Sequence, residues 1–124
     1  MPERRVLSVG QCMADHGAIA RTFAKHFAIE VISADNANEA LSILQNGSVH
    51  LVLVNRVLDE DGSSGLALIR QIKTDEALQK FPVMLVSNYD EAQEQATALG
   101  ALPGFGKAAL GQPRMLALVK KILD

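Results

Sequence analysis

The residues of this chain that could do chemistry follow short apolar runs. They are Gly10, Gln11, Cys12, Asn55, Ser87 and Lys107. A carboxylate at the end of such a run could attack a phosphoryl group and help to bind a divalent cation. Asn55 instead ends its run with a neutral amide, whose nitrogen is not a nucleophile. The hydroxyl of Ser87 could still contact an anion. These residue types predict no catalytic residue and no metal site.

Five short apolar runs rich in β-branched residues predict five β-strands. The runs are Arg5–Val9, Ile29–Ser33, Leu51–Val54, Val83–Ser87 and Leu102–Gly106. Segments with helical periodicity alternate with these runs. Between the first two, Ile19, Phe23 and Phe27 recur at every fourth position, which predicts a helix over about residues 14–27.

The ends of the remaining helices are predicted from residues that suit helix termini. The residues that suit the starts of the second to fifth helices are Asn36, Ser63 or Ser64, Asn88 and Pro113. Asn36 with Glu39 three residues later resembles a capping box, and Gly47 is typical of the position after a helix ends.

Strands and helices that alternate along the whole chain predict an α/β fold. Strands that are continuously apolar are typical of a parallel sheet covered by helices on both faces, with right-handed crossovers. The length of 124 residues favours a single domain, residues 1–124. Ligands of such sheets bind beyond the carboxyl ends of the strands, so the candidate residues should converge there.

Composition excludes several function classes. The net charge of −2 gives no basic surface for nucleic acid and no polybasic segment for anionic lipid. No apolar segment is long enough for a signal peptide or a membrane span, which predicts a cytoplasmic protein. The single cysteine, Cys12, excludes an internal disulfide and a clustered thiolate site for zinc.

Essentially the whole chain resembles the receiver domain of response regulators. The segments that resemble its first strand, second-helix entry, third strand and fourth strand are Arg5–Val9, Ala34–Leu41, Leu51–Val54 and Pro82–Ser87. Gly100 and Ala101 followed by Lys107 match the spacing that places the family's lysine beside the acceptor phosphate. Ser87 lies where receivers keep a Ser or Thr that hydrogen-bonds the phosphoryl group. The resemblance implies a CheY-like, flavodoxin-like (βα)5 three-layer sandwich with strand order 2-1-3-4-5.

The chain departs from this family where the family does its chemistry. In a working receiver an acidic pair after the first strand and an acceptor aspartate hold Mg²⁺, and the matching residues here are Gly10, Gln11 and Asn55. Mg²⁺ sites depend on carboxylate ligands, which these residues lack. Gly104 occupies the position of the switch Tyr or Phe, and Ala108 replaces a proline after the lysine, so no cis peptide is expected there.

The retained and unusual side chains each allow more than one interpretation. A buried unpaired ammonium is unfavourable, so Lys107 either bonds the Asn55 amide oxygen, pairs with an acid of Asp59–Asp61, or is solvated without a role. We interpret Asp59–Asp61 as a solvated charge cluster rather than a displaced metal site. Ser87 is interpreted as a capping remnant of the fold, and Cys12 as an inert thiol rather than a reactive one.

The resemblance and its departures together predict a pseudo-receiver of two-component signalling. It would act through protein contacts, without phosphorylation, cofactor or enzymatic activity. The expected contact surface comprises the fourth helix, fifth strand and fifth helix, which receivers commonly use to pair, so a homodimer is one option. Two alternatives remain open. Phosphoryl transfer could use a substitute acid such as Asp59, or the domain could sense a small molecule or anion through Lys107 and Ser87.

Overall fold

A computed structural model describes residues 4–47 and 49–123 of the chain. Five strands lie in this part, and they are β1 Arg5–Val9, β2 Glu30–Ala34, β3 Leu51–Asn55, β4 Val83–Val86 and β5 Leu102–Phe105. The α-helices are α1 Met13–Phe27, α2 Ala37–Gln45, α3 Gly65–Thr74, α4 Asp90–Ala98 and α5 Pro113–Leu123. A short 3-10 turn, Lys107–Ala109, follows β5.

The strands form one parallel sheet in the order β2-β1-β3-β4-β5. This is the flavodoxin-like architecture predicted from the alternating strands and helices. All the carboxyl ends of the strands therefore face the same edge of the sheet. None of the helices in the described residues is long and apolar enough to cross a membrane.

Two apolar layers enclose the sheet. On one face, α1 and α5 bury side chains such as Phe23 and Val119 against the sheet. On the other face, α2, α3 and α4 bury Leu44, Ile69 and Ala96. Burial on both faces explains why the strands are continuously apolar rather than alternating.

The predicted helix starts are confirmed at α2 and α3 and wrong at α4. The Asn36 side chain accepts a hydrogen bond from the Glu39 backbone at 2.9 Å, and the Ser64 side chain accepts one from the backbone of Ala67. At α4 the capping position falls on Tyr89, one residue after Asn88. The Asn88 side chain makes a tertiary contact instead, which sequence propensity cannot anticipate.

The second strand begins at Glu30, one residue later than predicted, because the backbone of Ile29 still bonds to the last turn of α1. Ala28 adopts a left-handed conformation with φ of 54°. The backbone N–H groups of Ala28 and Ile29 donate to Ala24 and Phe23, which satisfies carbonyls of the last helical turn.

The fifth strand lies at the edge of the sheet, as its proline and glycines require. Its pairing with β4 is irregular, since Met84 pairs with Leu102 but Val86 pairs with Phe105. Between those pairs β5 has one residue more than β4. The extra residue makes a β-bulge at residues 103–104, which interrupts the ladder of backbone hydrogen bonds.

Candidate functional site

The carboxyl edge of the sheet brings together several of the residues singled out by sequence. A cavity of about 240 Å³ opens there. Its lining residues are Asn55, Arg56, Val57, Val86, Ser87, Asn88, Tyr89 and Lys107. Two of the cavity's side chains are cationic and none is a carboxylate. Gly10 and Gln11 do not line it, although they belong to the same edge.

The Asn55 amide joins two loops of the edge. Its Nδ2 group donates to the Gly10 carbonyl at 3.0 Å and to the Val57 carbonyl at 2.8 Å. Both N–H bonds of the amide are therefore used on backbone oxygens. A carboxylate has no proton to donate, so an aspartate at this position could make neither contact in its ionised form.

Gly10 has a backbone conformation and surroundings that exclude a side chain. Its φ is +75°, a region that L residues rarely adopt, and a Cβ added there would lie 2.3 Å from Leu58 Cδ2. Leu58 is fully buried in the core. The space beside β1 where a side chain at residue 10 would lie is thus filled by a leucine from the loop after β3.

Gln11 is nearly buried, with 8% of its surface exposed, and its amide has no hydrogen-bond partner among the described residues. A buried neutral amide supplies no negative charge to a divalent cation. With Asn55 bonded to backbone and Gly10 without space, the three positions of the predicted degenerate site do not fit Mg²⁺.

Lys107 does not contact either of the partners expected from sequence. Its Nζ lies 2.7 Å from Asp15 Oδ2, in the first turn of α1. The prediction that Lys107 bonds Asn55 or an acid of Asp59–Asp61 was therefore wrong. An acid in the first turn of a helix that starts at this edge could have suggested the pairing, because the first turn favours negative charge.

Asp15 also accepts a hydrogen bond from Cys12, whose Sγ lies 3.2 Å from Oδ2. The hydrogen bond from Lys107, and after it the one from Cys12, lowers the pKa of the Asp15 carboxyl below its usual value. Asp15 and Lys107 are partly exposed, at 34% and 38% of their side-chain surfaces. The pair thus fixes the loop after β5 against α1 at a hydrated position.

The loop after β4 is fixed by two short polar side chains. Ser87 Oγ accepts a hydrogen bond from the Tyr89 backbone at 3.1 Å, at the entrance to α4. Asn88 Oδ1 accepts from the Ala108 backbone at 3.2 Å, and a Cβ at Gly106 would overlap the Asn88 side chain. The peptide bonds of the described residues are all trans, including the one before Ala108.

Gln93 of α4 bridges the β5 bulge, a role that was not predicted from the sequence. Its Nε2 group donates to the carbonyls of Leu85, at 2.9 Å, and Ser87, at 3.1 Å. Its Oε1 atom accepts from the Gly104 backbone at 3.1 Å. Gln93 supplies hydrogen bonds where the ladder is interrupted, and no feature of the sequence marks it.

Gly104 is tightly enclosed by this bridge. A Cβ on it would lie 2.3 Å from the Leu85 carbonyl oxygen and 3.0 Å from Gln93 Oε1. The backbone of β5 can approach α4 and β4 this closely only without a side chain at residue 104. An aromatic residue could not occupy this position without displacing the strand.

The acidic loop Asp59–Asp61 is exposed and locally satisfied. The Asp61 carboxylate accepts from the hydroxyl and backbone N–H of Ser63, which lowers its pKa. Glu60 accepts from the Asn36 side chain at 2.9 Å and lies near Asp35 and Glu39. Asp59 donates its backbone N–H to Gly10 at 2.9 Å. These contacts are those of a folded loop with solvated carboxylates.

The profile of the response regulator receiver domain matches residues 13–105, and the chain belongs to this family. The fold and the convergence of Asn55, Ser87 and Lys107 at one edge agree with that membership. No match was found among curated protein sequences.

Solved structures share the fold. A response regulator receiver protein from Pseudomonas putida is 25% identical, with a TM-score of 0.79, and the match covers 98% of each chain. A putative response regulator from Chloroflexus aurantiacus is 18% identical, with a TM-score of 0.84 and 98% coverage of each chain. NtrX from Brucella abortus is 23% identical, with a TM-score of 0.80. This match covers 98% of the present chain but 27% of the NtrX chain, which is much longer.

Proposed function

We propose that this receiver domain acts in two-component signalling without accepting a phosphoryl group, as a non-enzymatic protein-binding module of the cytoplasm. The Asn55 contacts carry this proposal. The amide donates to the carbonyls of Gly10 and Val57, so the residue at the acceptor position has become part of the backbone framework.

Two further observations support the loss of phosphotransfer. Leu58 fills the space beside Gly10, so the first acidic position cannot carry a side chain in this backbone. Lys107 is neutralised by Asp15 rather than by acids around the cavity. Restoring a single carboxylate would therefore leave the site without its cation-binding pair.

The proposed contact surface is the face formed by α4, β5 and α5. We propose a protein partner for this face, and one option is a second copy of the chain. Leu102 and Pro103 of the edge strand are exposed there. Gln93 fixes β5 to α4, and Gly104 leaves no space for a switching aromatic ring. We propose that this face has one conformation and that partner concentration, not phosphorylation, regulates its occupancy.

Incubation with a small phosphodonor and Mg²⁺, followed by intact mass measurement, tests the proposal. We expect no phosphoryl adduct on the native chain or on Asn55→Asp, while a receiver with a complete acidic site serves as the positive control. A stoichiometric adduct on the native chain would refute phosphorylation independence. If Asp59→Asn abolished that adduct and Asp61→Asn did not, the substitute-acid alternative would replace our proposal.

Sedimentation over a concentration series tests the contact surface. If the partner is a second copy, Leu102→Glu should dissociate the dimer by placing a charge in an apolar contact. Met13→Glu is the matched control, because Met13 is 92% exposed and lies at the start of α1. Equal dissociation by both variants would exclude the proposed face.

A further inference from the structure

A groove runs between α3 and α4, and at one end it adjoins the cavity at the strand ends, with which it shares Arg56, Val57 and Tyr89. It consists of two adjoining depressions of about 430 and 560 Å³ that share Ser64, Leu66 and Gln95. One depression extends to Arg56 and Tyr89 and the other to Arg70 and the end of α4. On the α4 side the groove extends from Tyr89 to Leu99, a separation of ten residue steps or roughly 15 Å of helix at 1.5 Å per residue.

The floor of the groove is apolar. Its apolar residues are Val57, Leu66, Ala67, Ala92, Ala98 and Leu99. The alanines leave room between the two helices because their side chains are short. One end of this groove contains Val57 and Tyr89, which are 41% and 62% exposed. They are two of the four large apolar residues of the described chain that are exposed. An apolar floor between two helices can accept one face of an amphipathic helix.

The charges that line the groove are not balanced. Two arginines and one acid line it, Arg56, Arg70 and Glu91, which gives +1 where the whole chain carries −2. Among residues 4–47 and 49–123, neither arginine forms an ion pair with a carboxylate. The guanidinium of Arg56 instead lies 5.1 Å from the centre of the Tyr89 ring, which holds it at the rim.

From the apolar floor and the two unpaired arginines we infer that the groove binds an acidic amphipathic helix of a protein partner. Apolar residues on one face of that helix would contact Leu66 and the alanines. Acidic residues at its two ends would meet Arg56 and Arg70. Tyrosine and arginine are also the residue types that contribute most to protein interfaces. The inference names a partner chemistry for the proposed binding module, on a surface other than the α4-β5-α5 face.

Selection from a displayed library of random peptides about four helical turns long tests the inference. We expect the native chain to enrich peptides with helical apolar spacing and acidic ends. The double variant Arg56→Glu, Arg70→Glu should lower their affinity by about tenfold or more, since it replaces attraction by repulsion. The double variant Arg21→Glu, Lys25→Glu is the matched control. It makes the same total charge change at two exposed residues of α1, and binding should change less than about twofold.

Amide chemical shifts of the native chain, recorded with an enriched peptide, place the binding site. Shifts at Leu66, Ala67 and Ala98 are expected. The inference is overturned if enriched peptides are neutral or basic, if they bind the double variant equally, or if no peptide is enriched over that variant. It is also overturned if a second copy of the chain occupies the groove, or if the shifts lie on β5 and α5. None of these outcomes bears on phosphotransfer, which the mass measurement decides separately.

Discussion

Replacing Asn55 by aspartate should destabilise this domain, although it restores the residue type found at the acceptor position of working receivers. The substitution removes both hydrogen bonds that Asn55 Nδ2 makes, to Gly10 at 3.0 Å and to Val57 at 2.8 Å. It also places a negatively charged oxygen beside two carbonyl oxygens. The carboxylate would thus lose the contacts of the amide and face repulsion from the same groups.

The magnitude follows from these contacts. Each lost hydrogen bond contributes about 1 kcal/mol, and the two carbonyls facing an anion add about 1–2 kcal/mol more, because Asn55 is half-buried. We expect Asn55→Asp to lower the free energy of unfolding by about 3–4 kcal/mol. For a domain of this length that corresponds to a decrease of roughly 10–15 °C in Tm.

The loss should depend on pH in a defined direction. Repulsion from the carbonyls raises the folded-state pKa of a carboxyl at residue 55 above its unfolded value, because the two cations of the cavity are already engaged, Lys107 by Asp15 and Arg56 by the Tyr89 ring. The ionised carboxylate is the form that destabilises the fold. The loss in free energy of unfolding is therefore complete above the folded-state pKa of this carboxyl, and it shrinks as pH falls towards the unfolded-state pKa. Asn55→Ala removes both donors without adding charge, and its deficit should stay constant over the same pH range.

Urea unfolding of the native chain and both variants, at about pH 7 and about pH 4 and without Mg²⁺, measures these differences. If Asn55→Asp is as stable as the native chain at the higher pH, the two amide hydrogen bonds do not stabilise the fold. If Asn55→Asp and Asn55→Ala respond equally to pH, the two carbonyls do not repel a carboxylate at residue 55. Stabilisation of Asn55→Asp by millimolar Mg²⁺ would show that Gly10 and Leu58 do not prevent cation binding.

Three further perturbations test the contacts that fix the edge loops. Gln93→Ala should lower the free energy of unfolding by about 2–3 kcal/mol and speed hydrogen exchange at the β5 bulge, whereas unchanged exchange there would contradict the bridge. Asp15→Asn should cost at most about 1 kcal/mol at neutral pH, because the pair with Lys107 is partly exposed. The pKa of Asp15 is lowered in the folded state, so this difference should be present above the unfolded pKa and disappear as pH falls through the folded value; thermal unfolding across acid pH measures it. Gly10→Ala should cost about 2–4 kcal/mol in urea unfolding, and a smaller loss in a Leu58→Ala background would confirm that the clash with Leu58 is the cause.

Local chemistry explains which parts of the structure could be read from the chain. The periodicity of Ile19 and Phe23 placed α1, and the capping box of Asn36 and Glu39 placed α2, because both depend on residues close in sequence. The apolar strands and their alternation with helices determined the parallel sheet. The end of α1 was predicted correctly, but β2 starts one residue later than predicted because Ala28 adopts a left-handed conformation, for which alanine has no sequence preference.

Sequence by itself determined the fold and the identity of Asn55, Ser87 and Lys107 as the residues at the carboxyl edge. Only the tertiary structure decided what each of them contacts. The partner of Lys107 is Asp15, 92 positions earlier (107 − 15), and the Asn55 amide reaches Gly10, 45 positions earlier. Such contacts depend on how loops from separate strands pack, and side chains with several possible partners carry no local pattern that selects one. For the same reason the bridging role of Gln93 was not predicted, since an ordinary glutamine on a helix becomes structural only when a bulged strand lies beside it.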